Sequence, residues 1–132
     1  MIGGENASLQ KIGTLDGNII KALKLDLIED SPIFLGADNI LHMKQKHPKD
    51  YAKYGNCIED IIRQPDYIGK NPKDESIEYV KEFFIENEFV KVAVRVSGNG
   101  VLFARSMYVL NPNRVLSFIE KGTLFDYCSI DK

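Results

Sequence analysis

The chain has 132 residues, of which 44% are apolar and 27% charged, with a formal net charge of -2. That is the mix of a soluble globular domain large enough to bury a core, and the balance excludes a uniformly basic protein that wraps nucleic acid. Cys57 and Cys128 are the only cysteines, which implies no disulfide framework and a reducing, cytoplasmic setting. The N-terminus lacks the pattern of a signal peptide, and no apolar run approaches the ~20 residues of a membrane span.

Residues 1–7 read as a loose leader and 8–132 as one domain. Ser8 to Leu15 is short and mixed, an edge strand. Asp16 or Asn18 caps a short helix carrying Ile19, Ile20, Leu23 and Leu25. Pro32 to Leu35 is an apolar run bounded by Pro and Gly, a strand. Asp38 offers an N-cap for a helix that Pro48 ends, with Leu41, Gln45 and Pro48 on one stripe. Asn56 to Gln64 is a second helix, closed by Pro65. Tyr67 and Ile68 are extended, and Ser76 to Phe84 alternates. In Phe89 to Ser97, Val90, Val92, Val94 and Val96 share one side, opposite Lys91, Ala93, Arg95 and Ser97; this predicts a half-buried strand. Gly98-Asn99-Gly100 is a hairpin turn that returns Val101 to Leu110. Asn111-Pro112-Asn113 caps a last helix, Arg114 to Lys121, with Gly122 at its end. Helices first, then an antiparallel meander, then a helix make an α+β domain.

The chemistry concentrates in Asp38 to Pro48, DNILHMKQKHP, which holds both histidines, His42 and His47. Lys44, Lys46 and Lys49 lie close by. An imidazole exchanges protons near neutral pH, and lysines beside it favour a bound phosphate. Proton transfer at a phosphate is the chemistry of metal-independent RNA cleavage. His42 and Lys46 fall on one helix face, a turn apart. On the hairpin, Arg95 and the segment ARSMY supply Arg105, Ser106 and Tyr108. Arg grips phosphate oxygens bidentately, and the hydroxyls can donate to phosphate or position a 2′-hydroxyl. Strand register, and so which alternating set of Val101 to Leu110 joins Arg95, is not readable from sequence. Taken alone, each feature is also what a solvated basic helix and a charged outer sheet face look like.

Other chemistries lack their residues. Neither GxGxxG nor GxxxxGK[ST] occurs, so nucleoside triphosphates are not expected. His42 and His47 are about 140° apart around a helix, a poor zinc pair. Neither cysteine adjoins a histidine. No cofactor and no metal are expected.

The runs KIGTLD, IFLGADNILHMKQKHP, IEDIIRQPDYIG, ESIEYVK, VKVAVRV and ARSMYVLN together resemble the phage-type branch of the Barnase–EndoU–colicin–RelE-like nuclease superfamily. The most specific pieces are the His42 to Pro48 helix end and the Pro65 to Gly69 turn. The resemblance covers about residues 10 to 120. It implies N-terminal helices packed on a four-stranded antiparallel sheet, with a late helix. It also implies metal-independent cleavage of RNA, transfer or messenger RNA being the target classes in relatives, for a phage or mobile element. His42 matches the helix histidine, Lys46 and His47 the basic end of that motif, and Ser106 and Tyr108 the polar positions of the late strand. Arg105 lies beside them.

The expected function is therefore an endoribonuclease-like domain that attacks through the ribose 2′-hydroxyl. His42, His47, Arg105, Ser106 and Tyr108 are the catalytic candidates, and Lys44, Lys46, Lys49 and Arg95 the substrate-binding ones. RNA is the expected partner, an immunity or host protein a further candidate, and a membrane is not expected. The alternative is a non-catalytic nucleic-acid-binding, protein-binding or assembly domain on the same fold.

Overall fold

The computed structural model describes residues 9–130, so the leader expected at 1–7 lies outside the described residues. Strand β1 (Leu9–Thr14) pairs antiparallel with β2 (Pro32–Gly36), and helix α1 (Gly17–Leu23) lies between them in the chain. Asp16 is the N-cap of α1, its Oδ1 accepting from the Asn18 N–H at 2.8 Å. The helix buries Ile19 and Leu23 and ends at Lys24 in the left-handed region. Strands β3 (Tyr67–Lys70), β4 (Ile77–Phe83), β5 (Glu88–Val96) and β6 (Leu102–Leu110) follow, and β7 (Leu124–Asp126) comes late.

These strands form one seven-stranded sheet in the order β1-β2-β6-β5-β4-β3-β7. It is mixed, because β2 runs parallel to β6 through Ile33↔Leu102 and Phe34↔Phe103. The expected four-stranded antiparallel sheet is therefore wrong, and only the α+β class stands. The antiparallel run β6-β5-β4-β3 is what local hairpin signals reveal. The β2–β6 pairing joins segments far apart in the chain, and β7 is too short to carry a period.

At the sheet centre, Val90, Val92 and Val94 are fully buried in the main core with Ile77, Tyr79 and Met107. Val96 departs from the expected valine face and is 44% exposed. β4 begins opposite Val94, so beyond that point β5 has only β6 beside it. The other face of β5 is covered at Lys91 and Ala93, which are buried, and opens at Arg95, which is exposed. A second cluster, Val80, Leu110, Val115 and Leu124, packs on that face under helix α5 (Pro112–Glu120).

A β-bulge sits in β6. Ala93 pairs with Ser106 and Val94 with Ala104, so Arg105 has no partner across the strands. The extra residue flips the alternation: Leu102, Ala104 and Met107 all enter the core. Phe103, Ser106 and Tyr108 pair with Arg95, Ala93 and Lys91 and share their face. The β5–β6 turn is closed by the Gly100 N–H donating to Ser97 O at 2.9 Å. Gly100 takes φ 80°, whereas Asn99 does not have positive φ. The loop is thus an ordinary turn ended by a left-handed glycine, not the two-residue turn that Asn-Gly suggests.

The helix bearing the histidines, α2 (Ala37–Lys46), is capped by Gly36 rather than by Asp38. The Asn39 side chain reaches back, its Oδ1 accepting from the Gly36 N–H at 2.9 Å. Its core anchor is Met43, fully buried, while Leu41 is 53% exposed. Pro48 ends α2 and also opens helix α3 (Pro48–Tyr54), an element the sequence reading left out. A missing N–H costs nothing at a first helical position. Asp50, in the first turn of α3, accepts from the Val109 N–H at 3.0 Å and so covers the open edge of β6 beyond β2. A 3₁₀ turn (Gly55–Cys57) leads to α4 (Ile58–Arg63), whose Ile58, Ile61 and Ile62 enter the core.

The Pro65 to Gly69 turn is structural. Asp66 Oδ2 accepts from the Glu82 N–H at 2.7 Å, and the Asp66 backbone N–H donates to Val80 O at 2.8 Å. A Cβ on Gly69 would lie 2.1 Å from the Thr123 carbonyl oxygen. Only glycine lets the loop before β7 come so close. Helix α5 starts from an Asn111 cap, as expected, but it is not the last element. β7 and a helical turn, α6 (Tyr127–Ile130), follow it.

Candidate active site

The first half of α2 runs beside the β5–β6 face that the bulge reorganises. Between them lies a cleft of about 690 Å³. His42 lines it from the helix, and Arg95, Arg105 and Ser106 line it from the sheet. Met43 fixes the helix by burial, so its neighbour His42, about 100° further round, is left over the cleft. His42, Arg95 and Arg105 are all exposed. Arg105 reaches the cleft because it is the bulge residue. In a regular strand it would alternate with Ser106 and point into the core side.

Asp38, Asn39, Phe103 and Asp74 also line the cleft, and the sequence reading singled out none of them as site residues. Asp74 accepts from the Ser76 N–H (3.0 Å) and hydroxyl (2.8 Å). These bonds hold its carboxyl below the usual range, with Arg95 helping. Asp74 is therefore charged at neutral pH and offsets part of the arginine charge. The signal available for Phe103 was its place on the strand next to ARSMY, but without register it could not be put on either face.

His47 and Tyr108 do not line the cleft. They form a second group on the same sheet face, next to Ser106. The rings of His47 and Tyr108 stack, with centroids 4.9 Å apart and planes 28° apart. His47 is both the C-cap of α2 and the N-cap of α3, with φ -138° and ψ 66°. Pro48 denies it the helical region. Beneath Tyr108 lies Lys91, whose Nζ is 4.9 Å from the ring centre. Lys91 is ion-paired to Glu78 at 2.9 Å, with the two side chains only 8% and 9% exposed. Asn71 Nδ2 donates to the same Glu78 oxygen at 3.2 Å. Burial alone would lower the Lys91 pKa, but bonding to Glu78 and to Tyr108 outweighs it and leaves the pKa raised. In the alternating strand Lys91 looked like a solvent-facing residue, and nothing local marked it as buried.

The lysines separate. Lys44 lies over the Tyr51 ring at 5.6 Å and lines a shallow depression with Pro48 and Asn56, away from the cleft. Lys46 and Lys49 are exposed, with Lys46 one helical turn beyond His42. Among the described residues, no group of three or more His, Cys, Asp or Glu is placed to hold a metal ion. No described helix is long and apolar enough to cross a membrane.

The family model described as phage-Barnase-EndoU-ColicinE5/D-RelE like nuclease 3 matches residues 10–117. The chain belongs to this family. The matched stretch of this phage Barnase-EndoU-ColicinE5/D-RelE like nuclease runs from β1 into α5, so it includes His42, the bulge at Arg105 and the stacked His47–Tyr108 pair. Membership supports a nuclease domain with a nucleic-acid substrate. No curated protein and no solved structure matches the chain.

Proposed function

We propose that this domain is a metal-independent endoribonuclease. The observation that carries the reading is the meeting of His42, Arg95 and Arg105 in one cleft. His42 takes the proton from a ribose 2′-hydroxyl, and the oxygen attacks the adjacent phosphorus. Arg105 and Arg95 hold the non-bridging oxygens as charge builds on the phosphorane. The P–O5′ bond breaks, and the leaving oxygen takes its proton from water, because His47 and Tyr108, the expected donors, lie outside the cleft. Products are a 2′,3′-cyclic phosphate and a 5′-hydroxyl. Lys46 and Lys49 steer the RNA backbone towards the helix.

His42→Ala and Lys46→Ala test the assignment together. Acid–base catalysis supplies about 10²–10⁴-fold, so His42→Ala loses at least about a hundredfold in cleavage rate with RNA affinity little changed. Lys46→Ala weakens binding and flattens its salt dependence, because one fewer counterion is released. A folded His42→Ala protein that cleaves as fast as wild type removes His42 as the base. One observation favours the rival, a non-catalytic binding or assembly module: Asp38 and Asp74 give the cleft a mixed charge. A wild-type protein that cleaves no RNA would put that reading first.

A further inference from the structure

The cleft mixes charged and apolar residues, and Phe103 is the one phenyl ring among them. Phe103 is the Cα partner of Arg95 across β5 and β6. Side chains at such directly opposed positions share a face, with Cβ atoms about 5 Å apart. Phe34 on the neighbouring parallel strand packs against the ring, with centroids 6.3 Å apart and planes 46° apart. The ring is thus braced from one side and half-buried, and the remainder of it lines the cleft. A guanidinium beside a fixed aromatic ring matches the two parts of a nucleotide, an anionic phosphate and a flat base.

We propose that Phe103 is the stacking floor of a nucleobase subsite, with the phosphate of the same nucleotide held by Arg95 and Arg105. The subsite rests on the ribonuclease reading for its RNA, and it narrows the substrate to an unpaired nucleotide. A base within an A-form duplex is stacked on its neighbours and cannot lie on a side chain, whereas bases in loops, bulges and single strands can be splayed out. Polar groups for the base edge are at hand. Asn39 spends its Oδ1 on the Gly36 N–H, which fixes the amide and leaves its Nδ2 hydrogens to donate. Asp38, also on the cleft, supplies an acceptor. Because Phe34 already pins the ring, stacking costs Phe103 little side-chain freedom.

The test is binding, read separately from cleavage. The probe is a short single-stranded oligonucleotide with 2′-fluoro sugars, which lacks the nucleophilic hydroxyl, and one 2-aminopurine. Wild type is expected to quench the 2-aminopurine on binding. Stacking on an aromatic ring contributes enough that Phe103→Leu should weaken binding by about fivefold to a hundredfold and abolish the quench. Phe103→Tyr, which keeps the ring and guards against a folding defect, should retain both. A Phe103→Leu protein with wild-type affinity and quench overturns the subsite, as does a wild type that prefers the same sequence in a duplex. The two readings fail apart. Cleavage of RNA that is indifferent to Phe103 leaves the nuclease standing without the base site, whereas quenching that depends on Phe103 without any cleavage leaves the base site standing without the nuclease.

Discussion

The buried Glu78–Lys91 pair makes the sharpest stability prediction. Lys91→Met keeps most of the side-chain volume but removes the ammonium. Glu78 would then be a carboxylate with 9% side-chain exposure and only the Asn71 amide, at 3.2 Å, for a partner. Stranding one member of a buried pair costs about 3–5 kcal/mol, against a total stability of about 5–15 kcal/mol for a domain. With urea m-values of about 1–3 kcal/mol/M, the unfolding midpoint should fall by at least about 1 M. Lys91→Met with Glu78→Gln should recover most of that, because the stranded charge is gone. The pH dependence has a defined sign. The folded-state pKa of Lys91 is raised, so its stabilisation is fully present below the ordinary lysine value of 10.5 and is lost as pH rises through the higher folded value. Wild type should therefore lose stability in that alkaline window, and Lys91→Met should lose less of it. A single variant with an unchanged midpoint, or a double variant no better than the single, would refute the reasoning.

Gly69→Ala should be destabilised by about 1–3 kcal/mol or more, since its Cβ would meet a backbone oxygen that cannot swing aside; a thermal melt lower by several degrees checks this, and an unchanged melt contradicts it. Cys128 is exposed, whereas burial raises the Cys57 thiol pKa, with Asp60 adding to the shift. Alkylation near neutral pH, followed by mass spectrometry, should therefore label Cys128 well before Cys57. Asp50→Ala should leave the Val109 N–H at the β6 edge without its acceptor and cost about 1–3 kcal/mol, visible as faster hydrogen exchange at Val109 and its neighbours.

Local patterns were legible where a residue's partners lie nearby in the chain. The valines at 90, 92 and 94, the Asn111 cap and the position of α5 could all be read this way, and the first cap was narrowed to Asp16 or Asn18. Long-range contacts decided the rest. The β2–β6 pairing leaves no period in the sequence, so sequence patterns point to a smaller, wholly antiparallel sheet. Pro48 signals a helix end and a helix start alike, and α3 was lost in that ambiguity. The bulge at Arg105 matters most for the site. Strict alternation splits Phe103 and Arg105 from Ser106 and Tyr108, and one extra residue reunites them on the Arg95 face. His42, Arg95, Arg105 and Ser106 were legible as residue types suited to phosphate chemistry, but their convergence was not. Lys44 illustrates the reverse: close in sequence to His42, it faces another side of the helix.

The proposed reaction at the His42–Arg95–Arg105 cleft uses the 2′-hydroxyl of the RNA itself as the nucleophile. The most direct measurement incubates the protein with RNA in excess chelator and reads the product ends by mass spectrometry, with a matched substrate carrying one 2′-deoxy nucleotide at the scissile position. The expected products carry 2′,3′-cyclic phosphate and 5′-hydroxyl ends, with no cleavage at the deoxy position. Cleavage of the deoxy substrate at an equal rate, or products ending in 3′-hydroxyl and 5′-phosphate, would contradict it.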